Sequence, residues 1–292
     1  MKRKIICLTF LIILAVTGCK NSKLEEKEKV SVKPLVIDVE QPITAEISNE
    51  SENTTDLFTE NIMEIFDDYN NGNISIYVKE LSEGNVCVLE SRKMEAASLI
   101  KVYIAGSVYE NYEDVCEYIG DSDAVEELVR KMISESDNDA SNKLTIALGN
   151  GSDIGGRNIV NDFCESHGYS DTHMGRMLLE SNEFDDNYTS VSDCGKALED
   201  IYNNQLCDSE KILNYMKQQE RVSKIPAGIP DGIASANKTG ELSDVENDIA
   251  IIFSINHPYI ICIMSDGLSD TYSARQSETE ISRRIYSYIC GE

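Results

Sequence analysis

An α/β (α+β) fold is predicted, with an antiparallel sheet flanked by terminal helices and an inserted all-helical lobe. Three observations carry this expectation. Segments with strand-like alternation occur near both ends of the folded part. Between them, roughly residues 98–220 show helical spacing almost throughout. Amphipathic helical segments open and close the whole. A sheet built from both ends of a chain, with helices inserted between, implies two lobes and a cleft where they meet, a common place for a ligand.

The opening segment, "TDLFTENIMEIFDDY", sets Leu57, Phe58, Ile62, Ile65 and Phe66 at helical spacing behind a Thr55 or Asp56 cap. "NISIYVKEL" and "NVCVLES" alternate as strands, and "SEGN" between them suits a hairpin turn. Helices follow at "SLIKVYIAGSVYENY", "AVEELVRKMI", "ASNKLTIAL", "GGRNIVNDFCESHG", "SVSDCGKALEDIYN" and "EKILNYMKQQ". After "PAGIPDG" the strands return as "ASANKTGEL", "DIAIIFSIN" and "YIICIMSD", and "SARQSETEISRRIYSYI" is the closing helix. No internal repeat is visible.

The first residues belong to none of this. Lys2, Arg3 and Lys4 precede the apolar run "IICLTFLIILAV", which is too short to span a bilayer comfortably. The run ends in "AVTGC", which resembles a bacterial lipobox, so residues 1–18 are read as a signal peptide and Cys19 as the lipidated anchor. Residues 19–56, rich in Lys, Glu, Ser, Thr and Asn, bury too little to offset their ordering entropy and are expected to be a flexible linker. The folded domain is expected over 57–292, held on the outer side of a bacterial cell membrane.

The formal net charge of −26 becomes about −29 once Lys2, Arg3 and Lys4 leave with the signal peptide. Such a surface repels nucleic-acid phosphates, which excludes nucleic acid as a partner. Of nine cysteines, seven remain after Cys7 and Cys19 are set aside, and none forms a C-x-x-C pair. An odd number cannot all pair within a monomer, the expected state, and most are read as small buried hydrophobes. His167, His173 and His257 share no metal-ligand spacing, and no strand precedes the glycines of "GNGSDIGG". No metal or cofactor is expected.

One lysine is out of place. In "EAASLIKVYIAG" Lys101 sits among Ile100, Val102, Ile104 and Ala105, three residues after Ser98. Positions i and i+3 share a helix face, so the amine would project beside the Ser98 hydroxyl at the helix start. A serine is a poor nucleophile unless a neighbour takes its proton. A lysine does so when burial and nearby cations lower its pKa from about 10.4. Alone, S-x-x-K is weak, arising by chance about once or twice in a chain this long. Here Ser136-Asp137-Asn138 and Lys238-Thr239-Gly240 follow it.

The ordered set S-x-x-K, S-D-N, K-T-G resembles the signature of class A β-lactamases and related penicillin-binding proteins. The order of elements is similar across roughly residues 57–292. The resemblance implies Ser98 as acylated nucleophile, Lys101 as its proton acceptor, and Ser136 as a relay between Lys101 and Lys238. It implies that Asn138 binds a substrate amide and that Lys238 and Thr239 hold the substrate carboxylate. The N–H groups of Ser98 and Glu241 would form an oxyanion hole beside a close-packed Gly240, and Asp137 would orient its turn. The implied partner is a small β-lactam or a cell-wall peptide.

Two departures stand out. Class A enzymes carry a loop, R-x-E-P-E-L-N, whose first glutamate activates the deacylating water. The corresponding stretch, "GRMLLESNEFDDNYTS", puts Leu178 there when anchored on Arg176, with Asn182 at the family's asparagine. Glu180 is the candidate for a displaced catalytic base, with Glu183 as its alternative. Hydrolysis then proceeds if either is repositioned, and the acyl group stays if neither is. The strand after K-T-G, "ELSDVENDIAII", also lacks the family's frequent arginine, for which Arg275 at the start of the last helix is the candidate substitute. A β-lactamase-like hydrolase is thus the leading reading. A DD-peptidase-like or slowly deacylating penicillin-binding protein, and a non-catalytic wall-fragment binder, are the alternatives.

Overall fold

The computed structural model describes residues 48–69 and 73–291. The signal peptide, Cys19 and linker residues 19–47 lie outside them. Helix α1 (Ser48–Asp67) begins well before the expected start near residue 57. Its first turns are polar and carry no apolar spacing to read. Once the buried turns are nucleated, adding further residues to a helix is cheap.

The hairpin β1 (Ile74–Glu80) and β2 (Val86–Leu89) then meets three strands from the far end of the chain. These are β6 (Ala234–Glu241), β7 (Glu246–Phe253) and β8 (Tyr259–Ser265). The sheet order is β2-β1-β8-β7-β6, and each neighbouring pair is antiparallel. The β1–β8 register, Ile74 opposite Ser265 through Glu80 opposite Tyr259, closes the split architecture expected from the sequence.

Period-two alternation sends the strand residues to two cores. Ile76, Val78, Ile261 and Ile263 face one side, against Phe58, Ile62 and Phe66 of α1. Ile281, Ile285 and Tyr286 of α9 (Thr271–Cys290) join them there. Tyr77, Ile260, Cys262, Met264, Ile249 and Ile251 face the other side and pack toward the helical lobe. Strand β8 is buried at every position, and for that reason it reads as an apolar run from Tyr259 to Met264.

In the helical lobe, the expected helix from Ser98 is split. A 3₁₀ turn (Ala97–Leu99) leads into α2 (Ile100–Glu110), and α3 (Tyr112–Ile119) follows a break at Asn111. Every residue of α2 from Ile100 to Tyr109 is buried, so this helix is hydrophobic all round and runs through the middle of the lobe. Around it stand α4 (Ser122–Arg130), α5 (Asn138–Leu148), α6 (Asp153–Ser166), α7 (Val191–Tyr202) and α8 (Ser209–Met216). Three short strands were not anticipated. They are β3 (Met94–Glu95), β4 (His173–Met174) and β5 (Asn187–Thr189), paired as β3-β5-β4 just before the Ser98 turn. The seven cysteines of the described residues are free thiols, and Cys87, Cys164, Cys194 and Cys262 are buried in the cores.

Candidate active site

Ser98 lies in the tight turn that feeds α2, next to Ala97, which holds a left-handed φ of 47°. One turn on, the Lys101 amine is fully buried yet surrounded by oxygen. Its Nζ is 2.6 Å from the Ser136 carbonyl and 2.6 Å from Asn138 Oδ1, two atoms that only accept. It is 3.1 Å from Ser98 Oγ and 3.2 Å from Ser136 Oγ, two hydroxyls that can donate. A neutral amine has two protons and one lone pair. With its protons on the two fixed acceptors, the lone pair is left to the hydroxyls.

Burial lowers the Lys101 pKa to about 7, with Arg221 adding to the fall and Asp137 opposing it. Ser136 reaches this position through a five-residue π turn (Lys131–Glu135) that ends with Ser136 at φ 60°. Asp137, not Asn138, then caps α5, accepting from the Ala140 N–H at 2.6 Å. That frees the Asn138 carboxamide for the site.

Lys238 completes the line. Its Nζ donates to Ser136 Oγ at 2.9 Å and to the Thr239 carbonyl at 2.8 Å. Burial, then the nearby cations Lys101 and Arg221, hold its pKa well below the ordinary lysine value. A single hydroxyl thus stands between two buried amines, and one of those amines touches Ser98 Oγ.

Gly240 follows on the same strand for a steric reason. A Cβ there would stand 2.7 Å from the Ala96 carbonyl and 3.2 Å from the Ser98 nitrogen. The strand backbone therefore lies directly against the serine turn, with Glu241 next along the strand. Thr239, buried beside it, pairs in register with Asp248.

The sequence reading missed Arg221, which carries no motif and precedes β6 in a loop. Its Nη1 donates to Glu241 Oε2 at 2.9 Å. Half-exposed and paired to Glu241, it is a cation whose charge is felt by both lysines. Arg275, the expected substitute for the strand arginine, donates from Nη2 to Glu246 Oε1 at 2.6 Å, opposite Glu241 in the sheet register, and among the described residues it makes no hydrogen bond to Lys238 or Thr239.

The loop after β4 resolves the register. Arg176 and Asp186 close its base with a 2.6 Å ion pair. Asn142, one turn after Asn138 on α5, accepts from the Leu178 N–H at 2.9 Å and donates to the Leu178 carbonyl at 3.0 Å. The same helix face thus holds Lys101 and pins Leu178, whose side chain is buried.

Glu180 is not brought to the site. Leu179 adopts φ 68° and is 76% exposed, so the chain turns outward before Glu180, which is exposed, as is Glu183. Among the described residues, neither glutamate side chain is hydrogen-bonded or ion-paired to Ser98, Lys101 or Ser136. Only an alignment of loop geometry, not of letters, would have told this.

A family model described as "Beta-lactamase enzyme family" matches residues 57–115 and 120–289. A search among curated proteins gave no match. Among solved structures, a β-lactamase from Sphaerobacter thermophilus DSM 20745 is similar at 19% identity and a TM-score of 0.67, over 80% of this chain and 98% of that one. PBP-A is similar at 20% identity and 0.69, over 80% and 97%. A point mutant of PBP-A, solved as an acyl-enzyme complex with penicillin G, gives 20% and 0.69, over 81% and 97%. At these identities the likeness is one of fold. With the family model matching most of its length, the chain belongs to the beta-lactamase enzyme family and has the class A serine hydrolase fold.

Proposed function

We propose that the protein is a β-lactam-recognising serine acyl hydrolase that is acylated at Ser98 and deacylates slowly. The observation that carries this is the run of contacts Ser98–Lys101–Ser136–Lys238. Neutral Lys101 takes the Ser98 proton as Oγ attacks the lactam carbonyl. The developing oxyanion lies toward the N–H groups of Ser98 and Glu241. As the C–N bond breaks, the proton passes through Ser136 Oγ to the leaving nitrogen, with Lys238 beside the relay. Lys238, Thr239 and Arg221 supply the positive and hydrogen-bonding groups for the substrate carboxylate, and the Asn138 carboxamide meets the side-chain amide.

Deacylation is the weak step. A water attacking the ester needs a base, and the residue whose backbone is pinned against α5 is Leu178, whose side chain accepts no proton. Loss of such a base is typically worth 10²- to 10⁴-fold. Intact-mass measurement after brief exposure to benzylpenicillin tests this. A long-lived adduct, absent in Ser98→Ala, supports the reading. Rapid return to the unmodified mass with product release means that some other group serves as base and that the protein is an efficient β-lactamase.

The pinned leucine also favours a second reading, in which cell-wall peptide ends are the physiological acyl donors and β-lactams their mimics. D-Alanine release from a D-Ala-D-Ala peptide, compared with hydrolysis of a chromogenic cephalosporin, separates the two. In either case we propose a lipid tether at Cys19 that holds the domain outside the cell membrane.

A further inference from the structure

Asn247 belongs to none of the three motifs. It lies on β7 directly across from Gly240, and its side chain is fully buried. Its Nδ2 donates to the Glu95 carbonyl at 2.9 Å and to the Ala96 carbonyl at 3.4 Å. Its Oδ1 accepts from the Ser265 N–H at 3.1 Å. One carboxamide thus ties the two residues before the serine turn to the centre of the sheet.

The turn needs such a tie. Ala97 holds a left-handed φ without being glycine, a strain of about 1–3 kcal/mol that persists only where the surroundings over-determine it. On the far side, the Ala96 N–H donates to the Asn187 carbonyl at 2.8 Å. On the near side Asn247 is the counterpart, and its own carbonyl is gripped by the buried Lys224 at 2.8 Å. Lys224 also bonds Glu246 Oε2 at 2.9 Å and lies 3.3 Å from Glu241 Oε1. The strand end that offers the Glu241 N–H and the segment that offers the Ser98 N–H therefore share one set of fastenings.

Resting on the acylation reading above, we propose that Asn247 is a positioning residue that sets the gap between the Ser98 turn and the Glu241 strand end. It touches no substrate. Its effect is felt through the geometry of the two amides and of Ser98 Oγ, so it acts on the rate of bond formation and not on substrate affinity.

Two variants test this. Asn247→Ala removes the whole tie. Asn247→Leu keeps the size and removes the tie without adding a buried charge or opening a cavity, so it stands in if the alanine variant fails to fold. Each is assayed for acylation by benzylpenicillin at saturating concentration, and for non-covalent benzylpenicillin affinity in a Ser98→Ala background. The expected result is acylation slowed by about 100-fold, the size of losing one oxyanion donor, with affinity within twofold. Folded variants that acylate as fast as the wild type overturn the inference. So does a parallel loss of rate and affinity, which marks general damage. A wild-type protein that is never acylated overturns the acylation reading, and is told apart because the failure then precedes any substitution.

Discussion

Acylation should have an acid limb set by Lys101. Burial draws this amine down to about 7, and only its neutral form can take the Ser98 proton. Lowering the pH protonates it, so the sign is a loss of rate toward acid. About half the molecules are competent at pH 7, about one in ten at pH 6 and about one in a hundred at pH 5. The acylation rate, followed by quenching and intact-mass measurement from pH 5 to 8, should fall tenfold per pH unit below the bend. Melting curves at each pH check that the protein stays folded. Arg221 contributes to the depression, so Arg221→Gln should move the bend to higher pH. Lys101→Met should cost about 10²- to 10⁴-fold at every pH, the usual worth of a general base. A rate unchanged between pH 5 and 8, or a bend near the ordinary lysine value, refutes the assignment of Lys101 as base.

Leu178→Glu should shorten the lifetime of the Ser98 adduct by about 10²-fold or more, read as recovery of unmodified mass, because the Asn142 pair fixes that position against the site-bearing helix. Gly240→Ala should slow acylation by about 100-fold, since its methyl would push the strand off the Ala96 carbonyl and widen the oxyanion pocket; an unaffected rate would mean that the strand end does not contribute a donor. Glu278→Gln should stabilise the fold, and more so as pH rises. The Glu278 carboxyl is buried without a hydrogen-bond partner and its pKa is pushed up to about 8. Its raised value means that stability is full below about pH 4.5 and is lost as pH climbs through 8, a penalty of about 3 kcal/mol at pH 7 that the amide avoids. Denaturant melts at pH 5 and 8 check it, and equal gains at both would contradict it.

What was legible in the sequence depended on the reach of the signal. Strand alternation and helical spacing are local, so the sheet, its hairpin and the helices of the lobe could be read from them. S-x-x-K, S-D-N and K-T-G are short and ordered, so Ser98, Lys101, Ser136 and Lys238 could be gathered before any coordinates. Asn142 and Asn247 were invisible, because each acts through backbone groups far away in sequence and any segment offers a carbonyl. Arg221 was missed because its place at the pocket comes from a loop with no periodicity. Glu180 misled because letters near Arg176 suggest a carboxylate, whereas the left-handed Leu179 decides which way that carboxylate points.

Three fully buried lysines show how one residue type is given two tasks. Lys101, Lys224 and Lys238 each lose their hydration, which by itself disfavours charge. Burial lowers Lys224 as well, but it lies among the carboxyl groups of Glu278, Asp248, Glu246 and Glu241, with Glu246 at 2.9 Å and Glu241 at 3.3 Å, and its pKa is raised on balance. It stays an ammonium and works as a strut between β6 and β7. Lys101 and Lys238 bond only to neutral oxygens and face each other and Arg221, so burial prevails and both are lowered. The chain is rich in acid, yet among the described residues no carboxylate is hydrogen-bonded to either amine, and Asp137 pulls Lys101 upward only from a distance. A carboxylate brought into contact would pair with Lys101 and return it to the charged form. Such a change would end its service as a base while leaving every motif residue in place.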